Sequence, residues 1–113
     1  MSAPLPQYLY LTTRGRRTGL ARQIEIWFTE RDGRYYVIAE HDTSHWLQNL
    51  RCDSRVQIRV GDSECPGRAR ALDPAADRDL IAAVQEQSRR KYGWGEGTVV
   101  EITPEAGEPE VRS

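Results

Sequence analysis

The stretch Arg22 to Glu30 alternates with period two. Ile24, Ile26 and Phe28 fall on one side, and Gln23, Glu25, Trp27 and Thr29 fall on the other. A helix repeats its faces about every 3.6 residues, so this pattern fits a half-buried strand and not a helix. Asp32-Gly33 follows, a pair suited to a tight hairpin because Gly adopts positive φ without steric cost. Tyr35 to Glu40 then reads as the returning strand. A half-buried hairpin must lay its apolar face on something, so the chain is committed to a sheet with a covered side.

The remaining segments extend that sheet. Tyr8 to Thr13 is apolar and aromatic and reads as a first strand. Arg55 to Val60 alternates again, with Val56, Ile58 and Val60 inward. Gly61-Asp62 turns the chain, and Ser63 to Leu72 returns. Pro66 and Gly67 interrupt that return, which predicts an edge strand or a bulge. Thr98 to Ile102 is the last strand. Two helices interrupt the series. A short one runs from His45 to about Cys52, capped by Thr43 or Ser44. A long one is capped by Asp73, with Pro74 at its first position, and runs to about Tyr92, where Gly93 ends it. Ala76, Leu80, Val84 and Ser88 share one face of the long helix, with Ile81 beside them. The expected fold is therefore mainly β: a six-stranded antiparallel sheet closing into a barrel, with one short and one long helix.

With 113 residues this is one domain, placed at 1–103. Residues 104–113, rich in Glu, Pro and Gly, are expected to form a disordered acidic tail. A domain this small gains from a second copy, so a homodimer is expected, with Trp27 as a natural buried contact. Mean hydropathy is -0.70 and no long apolar run occurs, so no membrane span is expected. Met1 to Gln7 lack the form of a secretory signal, which leads to a cytoplasmic expectation. Cys52 and Cys65 are then expected to be free thiols.

Net charge is -1, so overall charge selects no partner, but its distribution is uneven. Arg14, Arg16, Arg17 and Arg22 fall within nine residues that contain no acid. The loop Gly15-Arg16-Arg17-Thr18-Gly19 combines glycines, which let backbone N–H groups approach an anion, with guanidinium groups that bind phosphate through charge-assisted bonds. It is neither a Walker loop nor a dinucleotide fingerprint. The bland alternative is a solvated connection that happens to be basic. In a second segment, Ser44-His45-Trp46-Leu47-Gln48-Asn49-Leu50, a helix N-terminus could face an anion and Trp46 could stack on a flat ligand. There Trp46 is equally explained as core, and Asn49 as a tie for a loop. Glu40, His41 and His45 lack a fourth ligand, and no metal site is expected. Tyr92-Gly93-Trp94-Gly95 reads either as a lid or as a packed helix cap. Nucleic-acid binding through Arg14, Arg16 and Arg17 ranks last, because no long basic stripe appears.

The run Leu11-Thr12-Thr13-Arg14-Gly15-Arg16-Arg17-Thr18-Gly19, then Arg22, then Trp46 with Asn49-Leu50-Arg51 and Val56-Gln57-Ile58, resembles the deazaflavin-dependent nitroreductase and quinone reductase family of flavin-binding split β-barrels. The resemblance covers about Tyr8 to Leu72. It implies a six-stranded split barrel, a homodimer, and a reduced deazaflavin (coenzyme F-420) as hydride donor, with FMN as the second candidate. It assigns Arg16, Arg17, Thr18, Gly19 and Arg22 to the cofactor's phosphate and tail, Ala39, Glu40 and His41 to the ring system, and Trp46 and Asn49 to the wall beside it. Tyr92 or His45 is the expected proton donor. Glu25 and Glu40 stand where relatives are neutral or basic. The implied activity is hydride transfer to a small electrophile such as a quinone, nitro compound or enone. The alternative is a non-catalytic barrel that binds or stores a flavin-type cofactor or hydrophobic ligand.

Overall fold

The computed structural model describes residues 7–105. Nine elements follow one another: β1 (Tyr8–Arg14), β2 (Ala21–Trp27), β3 (Thr29–Arg31), β4 (Arg34–Ala39), α1 (His45–Cys52), β5 (Arg55–Val60), β6 (Ser63–Ala71), α2 (Arg78–Tyr92) and β7 (Thr98–Pro104). The strands form one antiparallel sheet in the order β2-β1-β5-β6-β7-β4-β3.

The expected long hairpin is not what forms. The period-two stretch is cut at Phe28 into two strands, which raises the count from six to seven. β2 pairs with β1 along its whole length, from Tyr8 opposite Trp27 to Arg14 opposite Ala21. Only the three residues of β3 pair with β4, across the turn where Asp32 (φ 54°) and Gly33 (φ 77°) are left-handed. β2 and β3 therefore lie at opposite edges of the sheet yet are joined by a single residue. The sheet has to curl until its edges meet, and it stays split where β2 faces β4 without a ladder.

The curl encloses the main core: Leu9, Leu11, Phe28, Val37, Leu47, Leu50, Ile58, Val100 and Ile102, among others. Helix α1 plugs it with Leu47 and Leu50, which are 0% and 2% exposed. Each such buried leucine contributes about 1.5–3 kcal/mol. A second core of Tyr36, Ile38, Leu72, Val84 and Val99 lies on the other face of β4 and β7, under α2. Those two strands are covered on both sides, which explains why they read as apolar runs while β1 and β5 alternate.

Three further expectations are corrected. β6 is an interior strand and keeps an unbroken register with β5 from Arg55 opposite Arg68 to Val60 opposite Ser63. Pro66 is tolerated because its carbonyl still accepts the Glu105 N–H, and Gly67 admits the β7 backbone, where a Cβ would lie 3.1 Å from the Thr103 carbonyl. The long helix starts at Arg78 and not at Pro74. Asp73 caps a separate turn by accepting the Ala75 N–H (2.8 Å), and the Asp77 carboxylate accepts the Asp73 N–H in return. The last strand continues through Pro104, and Glu105 pairs with Arg68 at 3.0 Å. The rest of the expected tail, 106–113, lies outside the described residues.

Candidate functional site

The basic loop is ordered by its own backbone. Gly15 N–H donates to the Leu20 carbonyl and Gly19 N–H to the Gly15 carbonyl, both at 2.8 Å. Leu20 N–H donates to Thr18 Oγ1, and the Arg14 guanidinium donates to the Gly19 carbonyl. A Cβ on Gly15 would sit 2.8 Å from Thr18 Oγ1 and would displace that hydroxyl from the loop, and Gly19 supplies the left-handed turn (φ 73°).

Asn49, 4% exposed, fastens the loop to α1. Its Oδ1 accepts from the Arg16 N–H (3.2 Å) and the Arg16 guanidinium (2.9 Å), and its Nδ2 donates to Thr13 Oγ1 (3.3 Å). Arg16 thus spends part of its donor capacity inside the protein. The Arg17 and Arg22 side chains make no hydrogen bond or ion pair among the described residues. Both line a cleft of ≈ 780 Å³ with Gly15, Arg16, Thr18, Ser44, His45, Trp46 and Asn49. Gly19 shapes the loop but is not in the wall. Helix α1 opens into the same cleft. Ser44 occupies its N-cap, but the hydroxyl donates back to the His41 carbonyl (2.8 Å), so no side chain caps the first-turn N–H groups.

A second cleft, ≈ 630 Å³, lies at the split. Ser44 and Trp46 line both clefts, so the two adjoin along these residues. Ala39, Glu40 and His41 stand in the wall of the second cleft, together with Glu25, Phe28, Thr29, Tyr36 and all three tryptophans, Trp27, Trp46 and Trp94. Tyr36 is 2% exposed and donates to Glu101 (2.9 Å). Burial, followed by that hydrogen bond, raises its pKa above the usual tyrosine value, so it stays neutral with its proton committed.

Tyr92, an expected proton donor, lines neither cleft. Its ring stacks on Trp27 at 4.5 Å and 2°, and Trp94 meets Trp27 edge-on at 6.3 Å. Its hydroxyl accepts the Phe28 N–H (3.0 Å), and its single proton is shared between the carbonyls of Phe28 (2.8 Å) and Gln7 (2.7 Å). Lys91 adds a donor to the Phe28 carbonyl and lies 4.0 Å above the Phe28 ring. Tyr92 and Lys91 therefore satisfy the backbone at the point where β2 breaks from β3. Gly93 (φ 80°) is an αL helix cap, so the segment after α2 takes the cap reading, with Trp94 packed beside the cleft.

The structure brings the basic loop, Trp46 and Asn49, three parts of the expected site, to one cleft, and Ala39, Glu40 and His41 to the adjoining one. Sequence reasoning missed Thr29, Tyr36 and Phe28, which reach the second cleft only because the strand breaks. Among the described residues no three His, Cys, Asp or Glu side chains gather, no helix is long and apolar enough to cross a membrane, and Cys52 and Cys65 are unpaired.

Solved structures share this architecture. An F420-H2 dependent reductase, FDR-A, superposes with a TM-score of 0.68 at 21% identity over 90% of this chain and 97% of that one. A putative pyridoxamine 5'-phosphate oxidase from Listeria innocua gives 0.70 at 19% identity, over 88% and 85%. A domain-swapped dimer gives 0.62 at 21% identity, over 90% and 83%. At these identities the likeness is one of fold. No curated protein sequence matches the chain. The model of the F420H(2)-dependent quinone reductase family matches residues 2–103, nearly the whole chain, and favours the deazaflavin over FMN. The chain belongs to the F420H(2)-dependent quinone reductase family.

Proposed function

We propose that the basic cleft holds the phosphate and tail of a reduced deazaflavin, that the adjoining cleft at the split takes its ring together with an electron acceptor, and that the protein is a reductase of quinones or similar small electrophiles. The observation that carries this reading is the shared wall of Ser44 and Trp46, which sets a basic, glycine-cradled cleft beside an aromatic one. The residues fit the cofactor. Gly15 and Gly19 shape a cradle whose backbone no Cβ crowds, Arg17 and Arg22 present guanidinium groups that nothing else in the described residues engages, and the uncapped first turn of α1 adds N–H donors. Arg16, Arg17, Thr18 and Arg22 would hold the phosphate and tail, while Ala39, Glu40, His41 and Trp46 would flank the ring.

When bound, the reduced deazaflavin supplies a hydride, which with one proton reduces a quinone by two electrons. The chain's own contribution is binding, alignment and exclusion of water. Of the two expected proton donors, His45 opens onto the basic cleft, whereas the Tyr92 hydroxyl is held by backbone. A homodimer is part of this reading. It is supported by Trp27 (37% exposed) on the open edge strand β2 and by the dimeric state of a structure sharing the fold.

The direct test is titration of the purified protein with oxidised and reduced deazaflavin and with FMN, followed by fluorescence. Arg17→Ala should weaken deazaflavin binding by about 1.5–3 kcal/mol through loss of charged hydrogen bonds. Unchanged affinity for every phosphate-bearing cofactor would remove the loop from the site.

A further inference from the structure

The connection from β4 to α1 runs from Glu40 to Ser44 and supplies wall to both clefts. Glu40 and His41 line the cleft at the split, and Ser44 lines both. Asp42, between them, lines neither, and its side chain is 69% exposed. It is nevertheless the point at which this connection is tied to the rest of the fold.

Three bonds converge on Asp42. Its Oδ1 accepts from Thr98 Oγ1 (2.9 Å), at the start of β7, and from the Arg51 guanidinium (3.4 Å), in the last turn of α1. Its carbonyl accepts from Gln48 Nε2 (2.6 Å), about one turn into α1. Within the connection, the Ser44 N–H (3.1 Å) and hydroxyl (2.8 Å) both donate to the His41 carbonyl. Those two bonds close the loop on itself. Among the described residues, it is Asp42 that bonds it sideways, to β7 on one hand and α1 on the other. The anchor on β7 is itself firmly placed. Thr98 stands opposite Ala39 in the ladder, and Gly97 (φ 124°) lets the backbone press so closely on the Ala39 carbonyl that a Cβ would collide with it.

Exposed charged bonds of this kind add little to global stability. What they fix is the place of a loop, and a displacement of about 1 Å in the groups that hold a ligand can cost most of its alignment. We propose that Asp42 is a positioning residue: through Thr98, Arg51 and Gln48 it sets where Glu40, His41 and Ser44 stand in the two walls, and through them how well the cofactor is held, without touching the ligand itself. This inference deepens the deazaflavin reading above and rests on it.

Asp42→Ala and Asp42→Asn separate position from charge. Both remove the negative charge, but Asn keeps an oxygen that accepts from Thr98. Deazaflavin titration should show about a fivefold loss of affinity in Asp42→Ala and affinity within about twofold of wild type in Asp42→Asn. Thr98→Val keeps the branched shape, loses the donor and should reproduce the loss. Asp42→Ala/Thr98→Val should bind no more weakly than Asp42→Ala, because both changes break one bond. Melting temperatures should stay within about 2 °C of wild type throughout. Hydrogen exchange reads the wall without cofactor: the Ser44 and Gln48 amides, bonded to the His41 and Ser44 carbonyls, should exchange about fivefold faster in Asp42→Ala and at wild-type rates in Asp42→Asn. Equal affinity in the Ala and Asn variants would overturn the inference, as would an affinity loss accompanied by a fall of more than about 5 °C, or exchange untouched by Asp42→Ala. A wild type that binds no deazaflavin ends the cofactor reading instead. Faster exchange confined to Asp42→Ala would then still support Asp42 as the residue that holds the wall, and unchanged exchange would remove that as well.

Discussion

The two ends of the candidate site are built on opposite principles. The basic end is local: nine consecutive residues, Arg14 to Arg22, supply its cations, glycines and turn, and one distant side chain, Asn49, pins it. The split end is assembled from far apart in sequence. Thr29, Ala39, Ser88 and Trp94 meet there because β2 and β3, joined at Phe28, sit on opposite edges of one sheet. A local site is robust to changes elsewhere and sensitive at its anchor. An assembled site inherits every weakness of the topology that creates it. Substitution can separate the two cases.

The largest effect is expected at Phe28. It is 4% exposed, packs into the main core, and meets Tyr35 edge-on at 5.7 Å. Phe28→Ala should cost about 3–5 kcal/mol, measured by denaturant unfolding. It should loosen the split end first. Near-wild-type stability would mean that the Tyr92 and Lys91 hydrogen bonds alone hold the break, and the contrast between the ends would narrow.

The same contrast explains what could be read in advance. Basic side chains between glycines announce an anion site because the chemistry is contiguous, and α1 and β5 formed at the boundaries that periodicity gives, His45–Cys52 and Arg55–Val60. The break at Phe28 was not legible. The alternation of Ile24, Ile26 and Phe28 runs straight through it, and what stops the strand is nonlocal: α2 brings the Tyr92 hydroxyl and the Lys91 ammonium to the Phe28 backbone from more than sixty positions away. Pro66 misled for a related reason. Proline signals an edge when its missing N–H is the deciding fact, but here its carbonyl remains paired and the strand stays interior. Tyr36, Glu101 and Arg70 likewise become a chain of bonds, buried at Tyr36 and Glu101, only through register: Glu101 of β7 stands opposite Tyr36 on one side and Arg70 on the other.

At the basic end the decisive residue is Asn49. Removing its amide strands the Arg16 N–H and the Thr13 hydroxyl, of which Thr13 is 2% exposed. Asn49→Ala should cost about 1–3 kcal/mol of stability. It should also weaken deazaflavin binding while leaving the tryptophan fluorescence of the split end unchanged. A changed emission together with weakened binding would show that the two ends are not separable through α1.

The smallest effect tests the residue whose expected and observed roles differ most. Tyr92→Phe removes the hydroxyl that bridges Phe28 and Gln7 but keeps the ring stacked on Trp27. If Tyr92 acts as an anchor, stability should fall by about 1 kcal/mol, the net worth of an ordinary hydrogen bond, and kcat should stay close to wild type. If Tyr92 instead donates the proton that accompanies hydride transfer, kcat should drop with little change in stability, and about a hundredfold loss is the scale for a general acid. The geometry favours the anchor. A hydroxyl that accepts one backbone N–H and shares its only proton between two carbonyls has nothing left to give, and it faces neither cleft. A stability loss with retained turnover would assign Tyr92 to the topology of the split end. It would leave the proton to a group that opens onto the cleft, as His45 does.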